Sequence, residues 1–251
     1  MSTPVLILHA PGTNRDGDAA HAISLAGGQP CIRPLTLLRQ HKINWMDFGM
    51  LVLPGGFSYG DALGAGKLWA LDLKTWFSDQ LNEFVASGRP VIGICNGFQV
   101  LVKSGILPGE GLTSTLTFNA SGCFECRWVT LKPHLQNASP WLTDLSTFTC
   151  PVAHGEGRFL TQAGSVLFPS QIALLYAGSD GNPASGAYPA NPNGSPGDVA
   201  GITNTAGNVL GLMPHPEDHV LPYQHPAWTR GEGGGLGLAL FNNGLQMANG
   251  R

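Results

Sequence analysis

Cys95 stands between Gly93 and Gly97, directly after the apolar run 91–94 and before a stretch with helical periodicity. This is the order of a nucleophile elbow, a sharp strand-to-helix turn that holds its central residue in strained backbone above the end of a sheet. The flanking glycines avoid the crowding that side chains would cause there. At a helix N-terminus, free N–H groups and the helix dipole favour a thiolate. His215 and Glu217 follow another apolar run, with Pro216 between them. In extended chain, residues i and i+2 point to one side, so the carboxylate can orient the imidazole. A thiol nucleophile, a base and an acid that fixes the base's tautomer are the set required for acyl transfer through a thioester. A third segment, Gly55-Gly56, also closes an apolar run. Its paired glycines let backbone N–H groups point into a site, and the N–H groups of Gly56 and Asn96 are expected to form the oxyanion hole.

These residues need a scaffold that delivers them to one place. Short, continuously apolar runs at 5–8, 49–53 and 91–94 read as buried strands, and a further short strand is expected near 31–34. Between them, 16–27, 66–87 and 96–104 have helical patterning, with Asp16 expected to cap the first helix. Strands buried on both faces and alternating with helices predict an α/β fold, a mostly parallel sheet with helices on both sides. Active sites in such sheets lie beyond the carboxyl ends of the strands, where all three segments fall. From 111 to 176 the pattern turns β-like, 177–198 reads as a long ordered loop, and strands are expected at 199–203 and 209–213. The stretch 221–251 carries a glycine run at 233–235 and an amphipathic segment around 236–247.

Composition removes several classes of function. The chain has 251 residues, 43% of them hydrophobic and 12% charged, with a formal net charge of −3. High net charge with low hydrophobicity, the signature of disorder, is absent. No basic stripe offers the phosphate neutralisation on which nucleic-acid affinity rests. No apolar run approaches the roughly 20 residues of a membrane helix, and the start lacks the charged and apolar regions of a signal peptide. A cytoplasmic protein is expected, folded as one domain over 1–251. The 5 cysteines are too sparse for a disulfide framework. Cys123 and Cys126 have C-x-x-C spacing but no second pair, so they read as strand residues with one or both buried, and no metal site is expected.

The segments now assembled resemble the class I (triad) glutamine amidotransferases, most closely the glutaminase subunits of phosphoribosylformylglycinamidine synthase. Four stretches carry the resemblance: Pro54 to Asp61, Gly93 to Gln99, Ala153 to Phe159, and Asn191 to Ser195 together with Gly211 to Glu217. The first and the Asn-Pro-Asn-Gly-Ser loop are the most specific. The resemblance implies a flavodoxin-like sheet with an added β excursion. It implies hydrolysis of glutamine at Cys95, His215 and Glu217, with ammonia passed to a synthetase that converts formylglycinamide ribonucleotide to the amidine. The implied partners are a large ATP-dependent subunit and a small bridging subunit. ATP and Mg would be used by the synthetase, and no cofactor by this chain. Gln99 is implied to contact glutamine, with His154, Glu156, Arg158, Asn193 and Ser195 expected in glutamine binding or docking. The alternatives are a glutaminase serving another synthase and a stand-alone Cys hydrolase on the same fold.

Overall fold

The computed structural model describes residues 2–40, 43–109, 111–162, 165–231 and 235–250. Gly233 and Gly234 of the glycine run lie outside them. Eleven strands follow the chain in order: β1 Pro4–His9, β2 Gln29–Pro34, β3 Met50–Leu53, β4 Val91–Ile94, β5 Ser114–Thr117, β6 Glu125–Pro133, β7 Phe148–His154, β8 Arg158–Thr161, β9 Ile172–Ala177, β10 Val199–Thr203 and β11 Val209–Leu212. The helices are α1 Asp16–Leu25, α2 Leu35–Gln40, α3 Lys67–Trp76, α4 Ser78–Ala86, α5 Asn96–Ser104 and α6 Leu238–Ala248.

Nine strands form one sheet in the order β2-β1-β3-β4-β11-β10-β9-β6-β7, and β5 pairs with β8 in a separate ribbon. From β2 to β11 all neighbours are parallel; from β11 to β7 all are antiparallel. The expected α/β, flavodoxin-like fold is present, and the β excursion both extends the main sheet through β6, β7 and β9 and forms the separate ribbon of β5 and β8. Val5, Leu6, Ile7 and Leu8 are fully buried, as are Val91, Ile92 and Ile94. Each such side chain contributes about 1.5–3 kcal/mol, which is why these short runs pair at the centre of the sheet.

Laid flat, the four steps from β11 to β7 would separate those strands by about 19 Å at the usual spacing. Instead the backbone N–H of His215, just past β11, donates to the Pro151 carbonyl of β7 at 2.8 Å. The antiparallel half therefore curls over the carboxyl ends of the parallel half. This return brings the end of β7 to the elbow.

Several local expectations are corrected. The single helix expected over 66–87 is two, broken at Phe77 (φ −134°, ψ 17°), whose buried ring stacks on Trp45 with centroids 5.6 Å apart. Asp16 is the first residue of α1, not its cap; its carboxylate takes His9 Nδ1 at 2.8 Å. The short helix α2 follows directly on β2, where the sequence showed no period. Cys123 and Cys126 are both exposed, and the residue turned inward between them is Glu125. Only Cys126 lies on a strand.

Candidate active site

Cys95 lies between β4 and α5 with φ +49° and ψ −102°. A side chain in this region is strained, and such strain clusters at functional positions. What holds it is packing. A Cβ on Gly93 would stand 2.7 Å from the Gly97 carbonyl oxygen, and one on Gly97 would overlap the carbonyl of Leu53 on β3. The glycines thus let α5 settle directly on the sheet, and the crowding they relieve is between helix and strand. The Cys95 N–H donates to the Leu212 carbonyl at 2.8 Å, continuing the β4–β11 ladder one residue into the elbow. Its thiol is nearly buried and lies 3.7 Å from the Ala153 carbonyl of β7.

His215 follows β11. Its Nδ1 is 2.7 Å from Glu217 Oε1, so Nδ1 carries the hydrogen and Nε2 is left without a protein partner. Both residues are buried. Burial alone would lower the imidazole's affinity for a proton; the Glu217 charge and the Cys95 thiol outweigh it and hold His215 well above the ordinary histidine value. The arrangement stabilises an imidazolium beside a thiol, as a thiolate nucleophile requires.

Gly55 packs closely against this imidazole, since a Cβ there would come 2.7 Å from His215 Cε1. Gly56 has φ +135°, and a Cβ on it would stand 2.7 Å from the Asn14 N–H nitrogen. Among the described residues, neither the Gly56 N–H nor the Asn96 N–H donates to a protein acceptor. Both are free to serve an oxyanion. The Asn96 side chain is committed elsewhere: its Oδ1 accepts from Ser58 N–H at 3.3 Å and its Nδ2 donates to Gln99 Oε1 at 3.0 Å.

A cavity of about 150 Å³ opens beside the thiol, lined by Gly56, Asp61, Cys95, Gln99, His154 and Glu156 among others. Gln99 also donates to the Glu156 carbonyl at 2.7 Å, so it ties α5 to the turn after β7. Glu156 accepts from Ala65 N–H at 3.1 Å and lies 3.8 Å from Lys103 Nζ. Asp61, beside it, has its carboxyl raised by burial and by the Glu156 charge. A wider groove of about 700 Å³ shares Phe118 and Glu156 with the cavity but has no nucleophile in its lining.

His154 is buried. Its Nδ1 donates to Asn119 Oδ1 at 3.1 Å and its Nε2 is unpartnered. Burial, helped by the nearby His215 charge, lowers it to about 4. Asn119 was not anticipated, yet it clamps this whole turn. Its Nδ2 donates to the carbonyls of Cys123 and His154, both at 2.8 Å, and its Oδ1 also accepts the Gly157 N–H at 3.0 Å. Nothing local in the sequence marks it, because its partners lie on either side of β6.

Arg158, Asn193 and Ser195, expected in glutamine binding or docking, are not in the lining of the cavity. Arg158 donates to the Gly194 carbonyl at 3.1 Å. Asn193 and Ser195 are fully buried in the 177–198 loop: Asn193 Nδ2 donates to the Tyr176 hydroxyl at 3.0 Å, and Ser195 Oγ both donates to Asn193 Oδ1 at 2.7 Å and accepts the Phe159 N–H at 3.0 Å. Polar groups this deep are consumed in bracing the loop.

Comparison with known proteins agrees with the site. Residues 2–247 match the family model of the CobB/CobQ-like glutamine amidotransferase domain. The phosphoribosylformylglycinamidine synthase subunit PurQ of Treponema denticola is 55% identical over 243 residues, 88% of this chain and 90% of that protein. The subunit of the same name from Dehalococcoides mccartyi is 41% identical over 97% of this chain and 96% of its own length. In the solved structure of PurLQS from Thermotoga maritima, one chain superposes with a TM-score of 0.76 at 30% identity, covering 98% of this chain and 99% of that one. With its elbow cysteine, its oriented histidine and a match along almost its full length, the chain belongs to the CobB/CobQ-like glutamine amidotransferase family.

Proposed function

We infer that this chain is the glutaminase subunit of phosphoribosylformylglycinamidine synthase in purine biosynthesis. The observation that carries the reading is the 55% identity, spread over 88% of the chain, to a subunit of that enzyme. The geometry supplies the chemistry. The Cys95 thiolate attacks the glutamine carboxamide carbon. The Gly56 and Asn96 N–H groups receive the developing oxyanion, where preorganised donors act most strongly. His215 passes its Nε2 proton to the departing ammonia and then takes one from water as the thioester is hydrolysed. Glu217 holds the imidazole in the tautomer both steps need. Gln99 and the 154–156 turn form the wall against which glutamine lies, and Gly55 sets the height of the imidazole.

The ammonia serves a synthetase. A large ATP-dependent subunit and a small bridging subunit are the partners in this reading, supported by the likeness to a chain of the PurLQS assembly. ATP and Mg act on the synthetase, and this chain needs no cofactor of its own. The whole of 1–251 works as one glutaminase domain. No helix among the described residues is long and apolar enough to cross a membrane, which suits an enzyme acting in the cytoplasm.

The test is glutamate release from glutamine by the chain alone and with both synthetase subunits, ATP and formylglycinamide ribonucleotide. Strong stimulation with matched amidine formation is expected. In the same assay, Cys95→Ser abolishes glutamine-dependent synthesis and leaves ammonia-dependent synthesis intact. Glutamate release indifferent to those partners would assign the chain to a different acceptor enzyme.

A further inference from the structure

Behind the triad lies a second charged layer. Asp218, the neighbour of Glu217, is largely buried, and one ligand-type atom from each of His215, Glu217 and Asp218 lies within 4.8 Å of the others. Two carboxylates therefore flank one imidazole. Glu217 Oε1 takes His215 Nδ1, while Glu217 Oε2 is buried with no hydrogen-bond partner. A carboxylate oxygen of Glu217 lies within 4.8 Å of one of Asp218, within reach of a proton placed there. Sharing it would draw negative charge from Glu217 and weaken its hold on the imidazole.

One cation faces this layer. Arg15, from the turn before α1, places Nη1 3.5 Å from Asp218 Oδ1 and 3.2 Å from Asp18 Oδ2. It also packs on the triad's other support: the Arg15 N–H donates to the Gly55 carbonyl at 3.4 Å, and Arg15 Cγ is 3.5 Å from where a Gly55 Cβ would sit. The His215 ring borders that same position, its Cε1 2.7 Å away. Arg15 thus touches the carboxylate layer with its guanidinium and the oxyanion strap with its stem.

We propose that Arg15 and Asp218 are positioning residues for the triad: the guanidinium holds the Asp218 carboxylate ionised and away from Glu217, which is left as an unshared acceptor for His215. This rests on the glutaminase reading for its catalytic consequence, though the ion pair itself does not. The groups bearing on Asp218 are Glu217, His215, Arg15, Asp18 and the buried Cys150 thiol of β7. Burial foremost, with the Glu217 charge, raises Asp218 to about 6, and His215 and Arg15 restrain that rise. Loss of the cation removes one of these two restraints and raises Asp218 further.

The experiment compares Arg15→Gln, Asp218→Asn and the double variant in the full chain assembled with its synthetase partners. Kcat/KM for glutamate release is followed against pH. An opposite charge within about 4–6 Å moves a carboxyl by one unit or more, so Arg15→Gln is expected to shift the acid limb upward by about one pH unit. Asp218→Asn in the Arg15→Gln background returns the limb, because no second carboxyl remains to hold the proton. A loss by the same factor at every pH, or a limb that Asp218→Asn fails to restore, overturns the proposal. The side-chain carboxyl carbon of Asp218, followed by NMR in the isolated full chain, gives a second readout that needs no turnover. Its midpoint rises by about one unit in Arg15→Gln; an unmoved midpoint overturns the proposal. A wild-type chain without glutaminase activity would sink the functional reading and still leave this measurement decisive for the pair.

Discussion

The His215 ring rests on Gly55, with room for a hydrogen and none for a methyl: a Cβ would stand 2.7 Å from Cε1 and 3.3 Å from Nδ1. His215, the proposed base, and the strap at Gly55-Gly56, the proposed source of an oxyanion donor, are thereby set against each other.

Gly55→Ala is expected to push the imidazole or the strap out of register. Displacement by about 1 Å at a reacting centre can cost a hundredfold, whereas overpacking costs about 1–3 kcal/mol of stability. Kcat/KM for glutamate release should fall about a hundredfold while the variant still folds cooperatively by thermal unfolding. An active Gly55→Ala enzyme would show that the ring moves freely.

Two glycines at opposite ends of α5 separate packing from backbone strain. Gly97→Ala would drive a methyl into the Leu53 carbonyl, forcing the helix off β3, and is expected to destabilise by about 3 kcal/mol. Gly105, at the helix end with φ +88°, has open space around it. Its replacement by Ala meets only the left-handed penalty of about 1–2 kcal/mol. Denaturant unfolding of the pair should preserve that order.

His154 links folding to pH. Unfolded, it titrates near the ordinary 6.5; folded, burial holds it at about 4. Between these values the unfolded chain binds more protons, so the native state is favoured fully above 6.5 and progressively less as pH falls towards 4. With about 1.4 kcal/mol per unit, the loss from pH 7.5 to 4.5 is about 3 kcal/mol. Between pH 7.5 and 4.5 the unfolding free energy of the wild type should fall by about 3 kcal/mol more than that of His154→Gln. Parallel curves would mean that His154 is readily protonated in place.

Asn119→Ala removes the acceptor and donor that close the turn after β7. Buried groups left unpaired cost about 1–3 kcal/mol each, so a loss of about 3 kcal/mol is expected. The released turn lines the cavity, and KM for glutamine should rise more than kcat falls. An unchanged KM would separate this turn from glutamine binding.

Much of the parallel half was legible because its signals are local. The elbow glycines, the apolar runs and Gly105 bound α5 at the residues expected, and the cysteine, the histidine and its carboxylate fall at adjacent strand ends. What was not legible depends on contacts distant in sequence. The break at Phe77 is set by Trp45, the clamp at Asn119 by carbonyls of two other segments, and the exposure of Cys123 and Cys126 by the inward turn of Glu125. The Asn193 and Ser195 motif is specific, yet its side chains brace a loop instead of entering the cavity. The approach of β7 to Cys95 comes from the curl of an entire half-sheet, which no window of sequence encodes.

The ladder from β4 to β11 runs on through the Cys95 N–H to Leu212. Nucleophile and base are therefore mounted on neighbouring planks of one floor, and their separation cannot change without lifting the floor. The walls around them, the strap at Gly55-Gly56 and the turn at 154–156, are held by other segments, so the shape of the cavity is set apart from the spacing of its two chemical groups.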